Sequence, residues 1–172
     1  MLQIKNTLGG GDAKVTIDGF KVKDELNLVS EFSVLSVSTL PYNFFLSSAV
    51  VFDNEIHILG SGSSASTSTA HYKFDGTSWT SVSTLPYKFY FGSAVVLNNE
   101  IHILGTYANS AYYKSHYKFD GSSWTSVSTL PYQFYQGSAV VLNNEIHILG
   151  GGNTDISYTS HYLLQKCYKE VA

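Results

Sequence analysis

The chain has 172 residues (18.9 kDa), of which 44% are hydrophobic, 15% aromatic and 13% charged, so it can bury one sizeable core and is too apolar to stay disordered. All ten basic residues are Lys and the formal net charge is -3, which leaves no basic stripe to follow a phosphate backbone and argues against a nucleic-acid partner. Cys167 is the sole cysteine, which excludes an intrachain disulfide, a thiolate zinc cluster and a CxxC redox pair.

Residues 1–30 differ in kind from the rest. Lys14-Val15-Thr16-Ile17-Asp18-Gly19-Phe20-Lys21-Val22 reads as a hairpin turning at Asp18-Gly19, preceded by a flexible Gly9-Gly10-Gly11. An isolated hairpin is marginal in water, so it is expected to pack on another body. The opening residues lack the apolar stretch of a signal peptide, and no run in the chain approaches the roughly 18 apolar residues of a membrane span. The expectation is a soluble chain, not exported through Sec and not inserted in a membrane.

From residue 31 onward the sequence repeats with a period of 45. Leu-Pro-Tyr begins at Leu40, Leu85 and Leu130; Glu-Ile-His-Ile-Leu-Gly begins at Glu55, Glu100 and Glu145; His-Tyr recurs at His71, His116 and His161. Trp79 and Trp124 keep the same spacing. In the middle copy, residues 92–97, 100–104, 115–119 and 123–130 are of strand length, and the turns between them carry Asn98-Asn99 and Asp120-Gly121, which tolerate positive φ. Each period therefore predicts a four-stranded antiparallel meander. Hydrophobicity falls from the first segment to the last, which predicts a deep first strand and a rim-like fourth, as in the blade of a propeller.

Ser-Ala-Val-Val-Leu-Asn-Asn-Glu-Ile-His-Ile-Leu-Gly, then Tyr-Lys-Phe-Asp-Gly-Ser-Ser-Trp, then Leu-Pro, resembles the kelch repeat of β-propellers over residues 32–164. The resemblance implies an all-β, kelch-type propeller with three four-stranded blades in residues 31–172. Two features depart from the family. The double glycine after the second strand survives only at Gly150-Gly151, against Gly60-Ser61 and Gly105-Thr106, and the family's Arg after Leu-Pro is replaced by aromatics. Residues 2–11 are similar to the leaders of kelch-like tail and fibre proteins of tailed bacteriophages and prophages of Gram-positive hosts. This implies a virion location, with the protein made in the host cytoplasm and residues 1–30 contacting other virion proteins.

Propellers have about 4 to 8 blades, and the phase of the ends matters. Residues 31–40 match a fourth strand, while the last copy supplies strands one to three and then stops. A homodimer in which each chain's residues 31–40 complete the other's last blade would make a six-bladed ring. The alternative is that the sequence is a fragment of a longer protein.

The histidines at 57, 102, 147, 71, 116 and 161 are expected to be hydrogen-bonded imidazoles between blades, because copies in successive blades cannot converge on one ion. Glu55, Glu100 and Glu145 read as caps of exposed strand starts, Trp79 and Trp124 as packing anchors, and no Gly-x-Ser-x-Gly elbow occurs. Neither metal, cofactor nor catalysis is expected; kelch-type galactose oxidases use a copper site with a cysteine-linked tyrosine that nothing here matches.

Strand parity points to a binding face instead. The links after the fourth strands and the loops between second and third strands (61–70, 106–114, 151–159) emerge at one end of the meanders. There the copies diverge and aromatic residues concentrate. The candidate ligand-binding residues are Tyr42, Phe44, Phe45, Tyr87, Lys88, Phe89, Tyr90, Tyr107, Tyr112, Tyr132, Gln133, Phe134 and Tyr135. Such a surface suits a neutral glycan or a neighbouring virion protein; alternatively these aromatics plug the axial opening. A second functional class, a cytoplasmic kelch-like adaptor binding a protein on the same face, fits the same residues.

Overall fold

The computed structural model describes residues 34–61, 68–108, 111–152 and 157–164, with the side chain of Tyr112 outside the description. The chain divides into two units, Met1–Ser36 and Val37–Ala172. The hairpin expected at 14–22, the anchor 1–30 and Cys167 lie outside the described residues.

Eleven described strands form three antiparallel sheets and no helix is present among the described residues. The first sheet joins β1 (Ser48–Phe52), β2 (Glu55–Leu59), β3 (His71–Phe74) and β4 (Trp79–Ser81) in that order. The second joins β5 (Ser93–Leu97), β6 (Glu100–Ala108), β7 (Ala111–Phe119) and β8 (Trp124–Ser126). The third has β9 (Ser138–Leu142), β10 (Glu145–Leu149) and β11 (His161–Leu164). Residues 34–40 are not in a strand.

Turn chemistry sets these meanders. Asp53-Asn54, Asn98-Asn99 and Asn143-Asn144 all hold positive φ, between 51° and 62°, the paired left-handed conformation that a two-residue hairpin requires and that Asn and Asp tolerate. At the third turn of the first two sheets the aspartate works as a cap. The Asp75 carboxylate accepts from the N–H groups of Thr77 and Ser78, and Asp120 from those of Ser122 and Ser123. Those bonds hold both carboxyls below the usual range, Asp120 down to about 2.

The sheets pack through their faces. Phe52 and Leu59 of the first meet Ile101, Ile103 and Phe119 of the second; Val95 and Leu104 of the second meet Ile146 and Ile148 of the third. The link between sheets fills each junction from one end, with Leu85 and Phe89 in the first, and Leu130 and Phe134 in the second. Strand depth corrects the sequence expectation. In the middle sheet, which is covered on both faces, the second strand and not the first carries the core: Ile101, Ile103 and Leu104 are fully buried, whereas of β5 only Val95 is buried. β6 has a neighbour on each edge and a sheet on each face, while β5 lies on the edge of its sheet.

A second correction concerns residues 106–114, read from sequence as a long loop. Of these, 106–108 and 111–114 continue β6 and β7 into a projecting ribbon that pairs Thr106 with Tyr113, Tyr107 with Tyr112 and Ala108 with Ala111, past a bulge at Gly105.

Candidate functional site

The site is built by the segments 40–47, 85–92 and 130–137, each starting at Leu-Pro-Tyr. Their tyrosines are tethers. Tyr42, Tyr87 and Tyr132 donate their hydroxyls to the carbonyls of Gly60, Gly105 and Gly150, at 2.9, 3.2 and 2.5 Å, and their rings lie 5.2 to 5.7 Å from Tyr72, Tyr117 and Tyr162. Burial, then the neighbouring tyrosine, pushes all three phenols up, so they are neutral donors throughout the ordinary pH range. The accepting glycines have φ of 61–66°. A Cβ on Gly105 would sit 2.2 Å from the Phe134 carbonyl oxygen, and one on Gly60 2.0 Å from that of Phe89, so the link lies directly against the end of the second strand. Here the missing second glycine finds its replacement: Ser61 and Thr106 donate their hydroxyls to the carbonyls of Asn43 and Lys88, both at 2.7 Å.

Phe89 and Phe134 have no exposed surface. They are core side chains that fix each link between two sheets, and together with the tethered tyrosines they leave the ligand-facing role to other members of the candidate set. Phe44 is half-buried and Phe45 is 56% exposed. Lys88 and Gln133 are half-buried, as are Tyr90, Tyr107 and Tyr135.

The structure brings three of these aromatics together. Tyr107, on the projecting ribbon, lies 6.2 Å from Tyr90 and 5.6 Å from Tyr135, and Phe91 joins them at 4.8 Å from Tyr135 and 5.8 Å from Tyr90. Backbone bonds lock the ribbon to the links: Tyr107 N–H to the Tyr90 carbonyl (3.2 Å) and Phe134 N–H to the Tyr113 carbonyl (3.3 Å). The ribbon and the links therefore do emerge at one end. Burial, then Tyr107 and Tyr113, raises the Tyr90 phenol.

Sequence reasoning missed Leu46, Phe91 and Gln136. These three equivalent residues all have left-handed backbones (φ 54°, 58° and 52°), and they form a ladder in which Phe91 N–H donates to the Leu46 carbonyl (2.7 Å) and Gln136 N–H to the Phe91 carbonyl (2.9 Å). No glycine or asparagine marks the position, so nothing local signals positive φ. Beside the ladder opens a groove of about 430 Å³ lined by Phe44, Phe45, Leu46, Ser47, Phe91 and Gln136, with Gly92 and Gly137 at its floor. A smaller cavity of about 220 Å³ lies under the ribbon, between Lys88, Tyr87, Thr106 and Tyr113.

The ionisable groups elsewhere bond to one another. His57 and His71, His102 and His116, and His147 and His161 each share one Nδ1···Nε2 hydrogen bond of 2.8 to 2.9 Å. Glu55 and Glu100 are not plain strand caps; they accept from the ammonium groups of Lys73 (2.8 Å) and Lys118 (2.6 Å). Trp124 packs at 5.1 Å from Phe119 and 5.6 Å from His71, across the first junction. Among the described residues no group of three or more potential ligands could hold a metal ion.

No family model matches the chain and no curated protein matches it. Among solved structures it is similar to one described as "Structure of YjhT", with a TM-score of 0.59 and 19% sequence identity over 69% of this chain and 37% of that one. The likeness is one of fold, and this chain spans well under half the length of that structure.

Proposed function

We propose that this chain is half of a six-bladed kelch-type β-propeller, completed by a second copy, and that it serves without catalysis as a binding module of a phage virion. In this reading it is tail- or fibre-associated, residues 1–30 attach it to other virion proteins, and the link face meets a host-surface glycan or a neighbouring virion protein. The observation that carries the binding reading is the groove beside Leu46, Phe91 and Gln136, with the Tyr90–Phe91–Tyr107–Tyr135 cluster at its side. Apolar ring faces next to amide and hydroxyl groups, held on rigid sheets, match a sugar's apolar face and polar rim. The non-catalytic reading is supported by the use of the glutamates and histidines in pairs with lysines and with each other. In a ring of two chains every such cluster would occur twice, and weak contacts would add by avidity.

A glycan array probed with the purified chain tests this. Binding to cell-wall or capsular saccharides is expected, and the triple variant F45A/Y90S/Y135S should lose at least tenfold in affinity with its melting temperature little changed. A blank array together with capture of a specific protein on the same face would overturn the glycan reading in favour of the adaptor. Turnover of a sugar by the purified chain would overturn the non-catalytic one.

A further inference from the structure

The two junctions inside the chain follow one plan, and both halves of a third are present at opposite ends of the row of sheets. In the first junction the His71 ring of one sheet is covered by Phe119 and Trp124 of the next, at 5.1 and 5.6 Å, and those two rings lie 5.1 Å apart at 33°. Phe74 and Trp79 of the first sheet are paired identically, at 5.1 Å and 34°. The His147–His161 pair of the third sheet is likewise formed, at 2.8 Å, but exposed.

The apolar side chains report the same division. Ile56 is 43% exposed, whereas its counterparts Ile101 and Ile146 are 0% and 2% exposed. Leu40 is 47% exposed against 4% and 2% for Leu85 and Leu130. On the third sheet Val140 is 45% exposed, whereas its counterpart Val95 is 8% exposed. The first sheet thus offers on its outer face what the second and third sheets bury, and the third offers the complementary face. The ladder ends in the same way, with one donor, Leu46 N–H, at one end and one acceptor, the Gln136 carbonyl, at the other.

Deepening the paired half-rings proposed above, on which it rests, we infer that a second copy of this chain closes both ends by repeating the internal junction. Its Leu40, Ile56, Phe74 and Trp79 seat on Val140 and His161 of this chain, and the reciprocal contact forms across a two-fold axis. The 45-residue count fixes the register. Val82 and Val127 donate N–H to the carbonyls of His71 and His116, at 2.8 and 2.9 Å, and Leu85 and Leu130 to those of Thr69 and Lys114, both at 2.9 Å. One period on, Val37 N–H donates to the partner's His161 carbonyl and Leu40 N–H to the partner's Thr159 carbonyl. Leu46 N–H donates to the partner's Gln136 carbonyl, which continues the ladder around the whole ring. Residues 34–36, one period before Trp79–Ser81 and Trp124–Ser126, then serve as the outer strand of the partner's third sheet, whose edge is β11 among the described residues.

The test is an interchain disulfide. Each rung of the ladder is one N–H···O bond of 2.7 or 2.9 Å between neighbouring links, the close backbone approach that a disulfide's Cα separation of roughly 4.4–6.8 Å calls for, whereas Leu46 and Gln136 of one chain are two steps apart. The variant L46C/Q136C, made with C167S, should give a covalent dimer in air and none with L46C/C167S alone. Light scattering of the wild-type chain at micromolar concentration should give twice its 18.9 kDa, and I56E, which changes a side chain exposed in the single chain, should give one chain mass with its circular dichroism retained. A wild-type dimer without the cross-link would overturn this junction and leave pairing in another arrangement. A well-folded single-chain species overturns both, and cross-linked species larger than a dimer overturn closure. A cross-linked dimer that binds no glycan upholds the junction and sinks the ligand reading alone.

Discussion

The buried imidazole pairs make stability fall on mild acidification, by an amount that can be worked out. His71 and His116 are held neutral, with folded-state pKa values of about 3 and about 4, chiefly because burial disfavours the charged ring and secondarily because the partner imidazole does. The ordinary histidine value of 6.5 governs the unfolded chain. Between these values the unfolded state binds more protons, so stability is fully present above pH 6.5 and is lost as pH falls towards 4 and then 3. Both folded values lie below 5, so the loss down to pH 5 is set by the 1.5 units separating 6.5 from 5. At about 1.4 kcal/mol per unit this is about 2 kcal/mol for each histidine, and about 4 kcal/mol for the two. His57 is shifted in the same direction and adds to the effect. A typical domain has only ~5–15 kcal/mol in total, so the effect is a large fraction. Urea unfolding at pH 7 and pH 5, at one protein concentration and one ionic strength, measures it. The turn carboxylates Asp75 and Asp120, held low by backbone N–H groups, stay ionised across this window. Variant H116Q should shrink the pH 7 to pH 5 difference by about 2 kcal/mol. Equal stability of the wild type at the two pH values, or an unchanged difference in H71Q/H116Q, would refute the neutral-pair account.

Two further substitutions probe the links. Gly105→Ala forces a side chain into left-handed backbone and against the Phe134 carbonyl oxygen, and should cost about 2–5 kcal/mol in chemical denaturation; a cost below about 1 kcal/mol would show that the link can slide away from the strand end. Phe134→Ala removes a fully buried ring and should cost about 3–5 kcal/mol, whereas Phe45→Ala, at an exposed ring, should shift stability little while weakening any ligand bound in the groove.

The repeat, the meanders and their turns were legible because each rests on local chemistry. A 45-residue period needs no structure to see, and Asn98-Asn99 or Asp120-Gly121 announce their own backbone conformation. The histidines were legible as hydrogen-bonded imidazoles, but not that each bonds its neighbour within the same sheet, as His102 does His116. Depth was not. Ser93-Ala94-Val95-Val96-Leu97 is apolar on both faces and invites a central reading, but burial follows the number of neighbours, and β6 rather than β5 has them on every side. The ribbon at Thr106–Ala108 and Ala111–Lys114 was hidden because Tyr-rich, Ser-rich segments read equally as loop or strand until pairing decides. In Tyr87-Lys88-Phe89-Tyr90, composition marks four candidates alike. Only the geometry divides them into a tether (Tyr87), a plug (Phe89) and two half-buried residues (Lys88, Tyr90), because a non-strand link has no fixed period from which inward and outward positions could be counted.

The αL ladder through Leu46, Phe91 and Gln136 is made of main-chain atoms, so its rungs are indifferent to the side chains that hang from them. Leucine, phenylalanine and glutamine occupy interchangeable posts, and selection is free to vary what is displayed towards the groove without loosening the two rungs beneath. A population of related chains diversifying against changing targets would therefore be expected to mutate fastest at these posts and at Phe45, Tyr90 and Tyr135, while Gly60, Gly105 and the tethering tyrosines stay still.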